Sequence, residues 1–307
     1  MLSNALRTAC RLCLLITALW LALPVRAGES PTFRKVRDTG ILTLGYRVAS
    51  PPFSYLDARR KPIGYTMDIC NRVVDAVREQ LGLPGLEVKL IAVTSATRLP
   101  LVANGAVDME CGITTNTAER QKSAAFSITT FVAESRILSK KALPMQTLDD
   151  LRGRLVATTL ATTSILYLSG VNQARSLDMK IMAGFDDNEA FAMLQSDRAV
   201  AFVMDDVLLR SLLTTAPDAA DYVISDLPLT VEPYGIVLPR GDAAFKQLVD
   251  GVIMKLFRSG EIYAIYKRWF QWPIPPKGSN LQLPMSASLE RVIQHPTDAS
   301  DPAVYLH

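Results

Sequence analysis

Short runs rich in Val, Ile, Leu and Thr alternate along this chain with segments whose apolar residues return every three or four positions. The runs predict strands at 41–46, 87–93, 107–111, 155–158, 179–182 and 199–204. The longer period predicts helices at 67–81, 99–103, 117–124, 164–168, 188–195 and 206–213. Two apolar stretches, 131–141 and 231–239, read as long extended segments, and 243–258 and 261–270 read as further helices. Such alternation implies α/β layers with mostly parallel sheets. Ligands in open α/β sheets lie beyond the carboxyl ends of the strands, so functional side chains are expected at strand-to-helix turns. Trp269-Phe270-Gln271-Trp272-Pro273 reads as a packing anchor. Residues after Lys277, punctuated by Pro284, Pro296 and Pro302, show little periodicity and read as a surface tail.

One unit stands out chemically. From Thr94 to Gln121 the chain offers a serine and an arginine, a short amphipathic helix, a buried strand ending Ile-Thr-Thr-Asn, and then Arg120. Asn116 with Glu119 three residues on reads as the N-cap of the helix expected at 117–124. Free N–H groups at a helix start favour an anion, and a guanidinium nearby adds a bidentate grip on a carboxylate. The unit reads as a carboxylate-binding corner. Thr162-Thr163-Ser164 opens a second such helix start after the strand at 155–158.

Composition narrows the chemistry. Arg7 and Arg11, an apolar run from Leu12 to Leu23 and the small-residue end Val25-Arg26-Ala27 form a secretory leader cut after Ala27. Twelve apolar residues fall short of the ~20 needed to cross a bilayer. Residues 1–27 carry all of the +3 net charge, leaving 30 basic and 30 acidic residues, so no basic surface for nucleic acid is indicated. Cys10 and Cys13 fall in the leader. Cys70 and Cys111 remain in a compartment that permits disulfides, and two buried thiols are the simpler reading of the pair. His295 and His307 are the only histidines, both in the tail, so Ser–His–Asp, Cys–His and His-ligated zinc chemistry lack their central residue. No GxGxxG, GxxxxGK or HExxH pattern is present, and no cofactor, metal or catalytic group is expected.

The stretches GYRVASPPFSY (45–55), GYTMDI (64–69), TSATRLPL (94–101), ECGITTNTAERQ (110–121), GRLVATT (153–159), ATTS (161–164), RAVAFVMDD (198–206) and WFQWPIPP (269–276) together resemble solute-binding family 3. These are the extracytoplasmic amino-acid-binding proteins of ABC importers, and the likeness is strongest to their glutamate/aspartate-binding branch. The resemblance implies a periplasmic binding protein-like type II fold, two α/β lobes joined by a two-strand hinge. It places lobe 1 at 34–137 and 233–275, lobe 2 at 138–232, and a C-terminal tail at 277–307. It further implies a monomer in the periplasm that closes on a small amino acid and delivers it to an ABC permease in the inner membrane.

Carried onto matching positions, the resemblance assigns the α-carboxylate to Thr114, Thr115 and Arg120 with Thr162 and Thr163. The ammonium goes to Asp205, and the distal carboxylate to Arg47, Ser95 and Arg98. The chain departs from the branch where Ile113 replaces a serine, Ala161 a glycine, Leu160 a serine and Asp187 a histidine. Asp187 lies among the distal groups and would repel a glutamate side chain unless Arg47 or Arg98 neutralises it. These departures leave the general amino-acid grip intact and open the side-chain preference to glutamine or asparagine. Periplasmic dehydratases of cyclohexadienyl type share the fold and use a carboxylate in the cleft, which Asp187 also keeps open.

Overall fold

The computed structural model describes residues 29–306, so the leader read at 1–27 and His307 lie outside the described residues. Helix α1 (Pro31–Thr39) is capped by the Ser30 hydroxyl and leads into β1 (Ile41–Tyr46). A three-stranded meander follows, β2 (Ala49–Ser50), β3 (Ser54–Leu56) and β4 (Pro62–Ile63). The first lobe continues with α2 (Tyr65–Leu81), β5 (Glu87–Ala92), α3 (Arg98–Ala103), β6 (Met109–Thr115) and β7 (Ala124–Phe126). Strand β8 (Phe131–Lys140) crosses to a second lobe made of β9 (Leu155–Thr159), α4 (Thr163–Arg175), β10 (Lys180–Gly184), α5 (Asp187–Gln195), β11 (Ala201–Asp205), α6 (Asp206–Leu213) and β12 (Tyr222–Ile224). Strand β13 (Thr230–Pro239) crosses back, and α7 (Ala243–Ser259), α8 (Glu261–Tyr266) and α9 (Ala287–Gln294) follow.

Ten strands form one sheet in the order β10-β9-β11-β8-β13-β6-β1-β5, with β12 on β8 and β7 on β13. Strand β1 pairs in parallel with β5 and β6, and β9 pairs in parallel with β10 and β11. The crossing strands run antiparallel to each other, Thr230–Tyr234 against Phe131–Ser135. Beyond that short ladder, β8 continues on β11 and β13 continues on β6 and β7. Each crossing strand thus belongs to one lobe at one end and to the other lobe at the other, and the shared ladder is the hinge.

Burial explains the elements. In α2 the apolar residues Met67, Ile69, Cys70, Val73, Val74 and Val77 recur at helical spacing and all face the core. An aromatic cluster packs over the hinge ladder, with Phe131 and Tyr234 paired across it and Phe270 stacked on Phe131 at 5.1 Å. Trp269 and Phe270 are buried, and the Trp269 indole N–H donates to Asp68 at 2.7 Å.

Three sequence expectations need correction. Cys70 on α2 and Cys111 on β6 are joined as a disulfide, their Cα atoms 6.3 Å apart. The amphipathic packing of α2 on β6 brings the two buried sulfurs together. Residues 117–124 do not form a helix: a single 3-10 turn at Arg120–Lys122 separates β6 from β7, because Ala124–Phe126 pair with β13. The C-terminal segment, expected as a surface tail of little periodicity, carries a helix of its own and is docked through it. Its helix α9 buries Leu289, Val292 and Ile293, and the buried Tyr305 hydroxyl lies 2.8 Å from that of Thr129. The three apolar residues have helical spacing, but the surrounding prolines hide a repeat this short.

Candidate functional site

Seven of the ten expected residues line one cavity between the lobes: Ser95, Arg98, Thr115, Thr162, Thr163, Asp187 and Asp205, with Ile113, Met204 and Leu208. The cavity measures about 20 Å³, room for about one water molecule, so the lobes stand closed over it.

The lobe 1 wall carries the positive charge. Between β5 and α3 the Thr94 and Thr97 hydroxyls each accept the other residue's backbone N–H, at 3.2 and 2.9 Å, which fixes the turn holding Ser95. Arg98 is the first residue of α3, 3% exposed, and donates through Nη1 to the Ile113 carbonyl at 2.9 Å. Its Nε meets no acceptor. Arg47 follows β1 and donates to the Ser95 hydroxyl at 2.9 Å, and it lines an adjoining cavity with Asp187. Arg120, in the turn after β6, is buried and donates to the Thr115 carbonyl at 2.8 Å, beside the cavity rather than in its lining. Among the described residues none of these three arginines makes an ion pair. Burial, with Arg120 close by, pushes the Arg98 guanidinium down to about 9, and burial also lowers Arg120.

Two residues of the expected corner are placed differently. Asn116 caps no helix; its amide donates to the Asp298 carbonyl and accepts from Gln121. The Thr117 hydroxyl instead accepts the Arg120 N–H at 3.2 Å. Alternation along β6 turns Thr114 away from the cavity, where its hydroxyl donates to the buried Glu110 at 2.8 Å. Only the backbone of Thr114 remains for a ligand.

The lobe 2 wall carries the negative charge. After β9 the chain turns through Ala161 at φ +57°, and Thr162 caps α4 by accepting the Ile165 N–H. Its hydroxyl also donates to the Thr159 carbonyl at 2.6 Å. Thr163 donates to Glu232 at 2.7 Å. Asp187 opens α5 and accepts from the Thr159 hydroxyl at 2.6 Å. Gly184 allows this approach, since a Cβ there would lie 2.5 Å from the Ala190 nitrogen on α5. Burial raises the Asp187 carboxyl.

Asp205 ends β11 at the start of α6 and is 5% exposed. One carboxylate oxygen accepts from the Tyr234 hydroxyl, while Oδ1 is buried and accepts nothing. Burial and the neighbouring Glu232 hold this carboxyl well above its ordinary range. Asp205 occupies the N-cap position of α6, but its side chain accepts none of the helix N–H groups, and Asp206 accepts the Glu134 N–H of β8. Sequence reasoning missed Glu232 and Tyr234. Their one signal was an ionisable or phenolic side chain inside a run that otherwise reads as buried strand.

Comparison with known proteins places this geometry. The profile of bacterial extracellular solute-binding proteins, family 3, matches residues 42–272. An L-glutamate/L-aspartate-binding protein of Pseudomonas aeruginosa is 48% identical over 285 residues, covering 92% of this chain and 94% of the relative. A glutamate/aspartate import solute-binding protein of Salmonella typhimurium is 40% identical over 267 residues, covering 87% of this chain and 88% of the relative. Among solved structures, an ancestral arginine-binding protein bound to arginine superposes with a TM-score of 0.68 at 26% identity, covering 75% of this chain and 98% of the other.

Proposed function

The chain belongs to the bacterial extracellular solute-binding proteins of family 3, and from that premise we propose that it captures glutamate or aspartate for import by an ABC transporter. The observation that carries this reading is a cavity shared by buried Arg98, whose Nε meets no acceptor, and buried Asp205, whose Oδ1 accepts no hydrogen bond, with buried Arg47 and Arg120 nearby and also without an ion pair. Buried charges are ordinarily paired. An acidic amino acid supplies both missing kinds of partner, anions for the arginines and an ammonium for the carboxylate. Arg120 and Thr115 hold the α-carboxylate with the Thr162–Thr163 helix start, and Thr114 adds backbone only. Asp205 holds the ammonium, and Arg47, Ser95 and Arg98 hold the distal carboxylate.

The process is binding by hinge closure, with no covalent step. Because the closed cavity admits about one water, the lobes part along the β8–β13 ladder to let the ligand in. Lobe 1 comprises 34–137 with 233–275, lobe 2 comprises 138–232, and the closed pair is what the membrane permease receives. Every proposed contact comes from one chain, which supports a monomer as the working unit. The balanced charge of the chain after the leader supports no nucleic-acid partner, and residues 1–27 support delivery to the periplasm through a cleaved signal.

A thermal-shift screen of the twenty amino acids and simple dicarboxylates tests the reading, because a ligand bound only by the folded state raises Tm. Stabilisation by glutamate or aspartate is the expected result. A screen in which only neutral or non-amino compounds act rejects it.

A further inference from the structure

Next to the ligand cavity lies a larger one of about 180 Å³, walled by Val48 and Ser50 on lobe 1 and by Leu208, Ser211 and Leu212 of α6. Asp187 and Leu208 line both cavities, so these two side chains stand between them. Asp187 also lines the adjoining space beside Arg47. On the reading above, this is where the distal group of the ligand ends.

The groups meeting there are of two kinds. Arg47, Arg98 and Ser95 can donate hydrogen bonds, whereas an ionised Asp187 can only accept them. A carboxylate satisfies the first kind and offers nothing to the second. A carboxamide satisfies both, its carbonyl oxygen toward the guanidiniums and an N–H toward Asp187. The second hydrogen of that nitrogen, or a substituent in its place, then points past Asp187 and Leu208. The space beyond is walled mainly by apolar side chains, and a cavity of about 150 Å³ is known to hold a benzene ring. Burial raises the Asp187 carboxyl, and in its protonated form Asp187 donates a hydrogen bond, which is how the free acid binds as well.

We propose that the distal end of this site takes γ-carboxamides of glutamate as well as the free acid, including N-alkyl and N-aryl amides whose substituent lodges in the second cavity. This rests on the amino-acid-binding reading. The test is calorimetric titration of the full mature chain with L-glutamate, L-glutamine, the γ-ethylamide and the γ-anilide of L-glutamate. Two variants narrow the second cavity from opposite walls, Ser211→Phe and Val48→Trp, and Val48 is exposed enough that the second tests the idea even if the first unfolds.

The ethylamide is expected to bind within about tenfold of glutamine. Both folded variants are expected to weaken the ethylamide and the anilide by about tenfold or more while glutamate changes less than about threefold. Glutamate binding with no heat from either substituted amide overturns the proposal. So does binding of the amides that neither variant weakens. If no amino acid or amide binds at all, the amino-acid reading itself falls and this proposal falls with it.

Discussion

The two lobes wind alike. In each, three parallel strands end at the cleft, and the first in chain order lies between the second and third: β5-β1-β6 in lobe 1, β10-β9-β11 in lobe 2. In each, the third strand is flanked by an antiparallel crossing strand. Corresponding places nonetheless carry opposite charge. The helix after the second strand opens with Arg98 in lobe 1 and with Asp187 in lobe 2. The third strand runs on to Arg120 in one lobe and ends in Asp205 in the other. Topology therefore decides where a site lies, and the side chains at those places decide what it holds. A carboxylate at a helix start lies at the favourable end of the dipole, and a guanidinium there does not. Each wall is nonetheless left incomplete, lobe 1 with an Arg98 Nε that meets no acceptor and lobe 2 with an Asp205 oxygen that accepts nothing.

The largest effects should come from removing one charge on each wall. Arg120→Ala and Asp205→Asn are each expected to cost about 2–5 kcal/mol of glutamate affinity, the range for deleting one partner of a buried charge pair. The empty proteins should move in opposite directions. Asp205→Asn keeps an acceptor for Tyr234 and removes a carboxylate that burial and Glu232 disfavour, so its Tm at neutral pH should rise. Arg120→Ala withdraws a cation from among Glu232, Glu110 and Asp205, so its Tm should fall. Ligand-free Tm values shifting in the same direction would break the asymmetry between the walls.

Acidity should sharpen the same contrast. The Asp205 carboxyl titrates well above 3.8 in the folded protein, raised by burial and by Glu232. Between 3.8 and that raised value the empty folded state holds a proton that the unfolded chain releases, so this group favours folding increasingly as pH falls through the window. Ammonium binding requires the ionised form and expels that proton. Glutamate affinity should therefore decline as pH falls below that raised value toward 3.8, by at most about tenfold per unit from this group. Titration in buffers of different ionisation heat should show proton release in the wild type and much less in Asp205→Asn. An equal pH slope in both would remove Asp205 from the ammonium site.

How far the molecule was legible in the sequence depended on how local the cause was. The strand at Ile41–Tyr46 matches its expected span, and the α2 repeat needed two residues added at its start, because each follows from the spacing of its own apolar residues. Arg98, Thr115, Asp187 and Asp205 converge because all four sit at carboxyl ends of strands, a place the alternation of elements already marks. The 117–124 helix failed because Ala124–Phe126 answer to a strand more than a hundred residues later. Thr114 follows the alternation of β6 to the face opposite Ile113 and Thr115, where it meets Glu110, a consequence of strand period that the family resemblance did not mark. The disulfide needed the distance between α2 and β6, which is a tertiary quantity. The matching windings of the two lobes leave no repeat in the sequence, since the same topology is reached with different residues.

The smallest effect concerns the turn after the first strand of lobe 2, where the chain passes through Ala161 at φ +57°. A side chain with a Cβ meets its own backbone in that region, at a cost of about 1–2 kcal/mol, which glycine avoids. The conformation is kept because it lets Thr162 donate to Thr159 and cap α4 at once. Ala161→Gly should therefore remove strain from the folded state while adding freedom to the unfolded chain, which offsets about 0.4–1 kcal/mol of the gain. A net stabilisation of about 0.5–1 kcal/mol is expected by urea unfolding, with glutamate affinity changed by less than about threefold. The corresponding turn in lobe 1, Arg47-Val48 after β1, has no residue at positive φ, so glycine there should only destabilise. A loss of stability in Ala161→Gly would mean that the lobe 2 turn carries no strain for glycine to relieve.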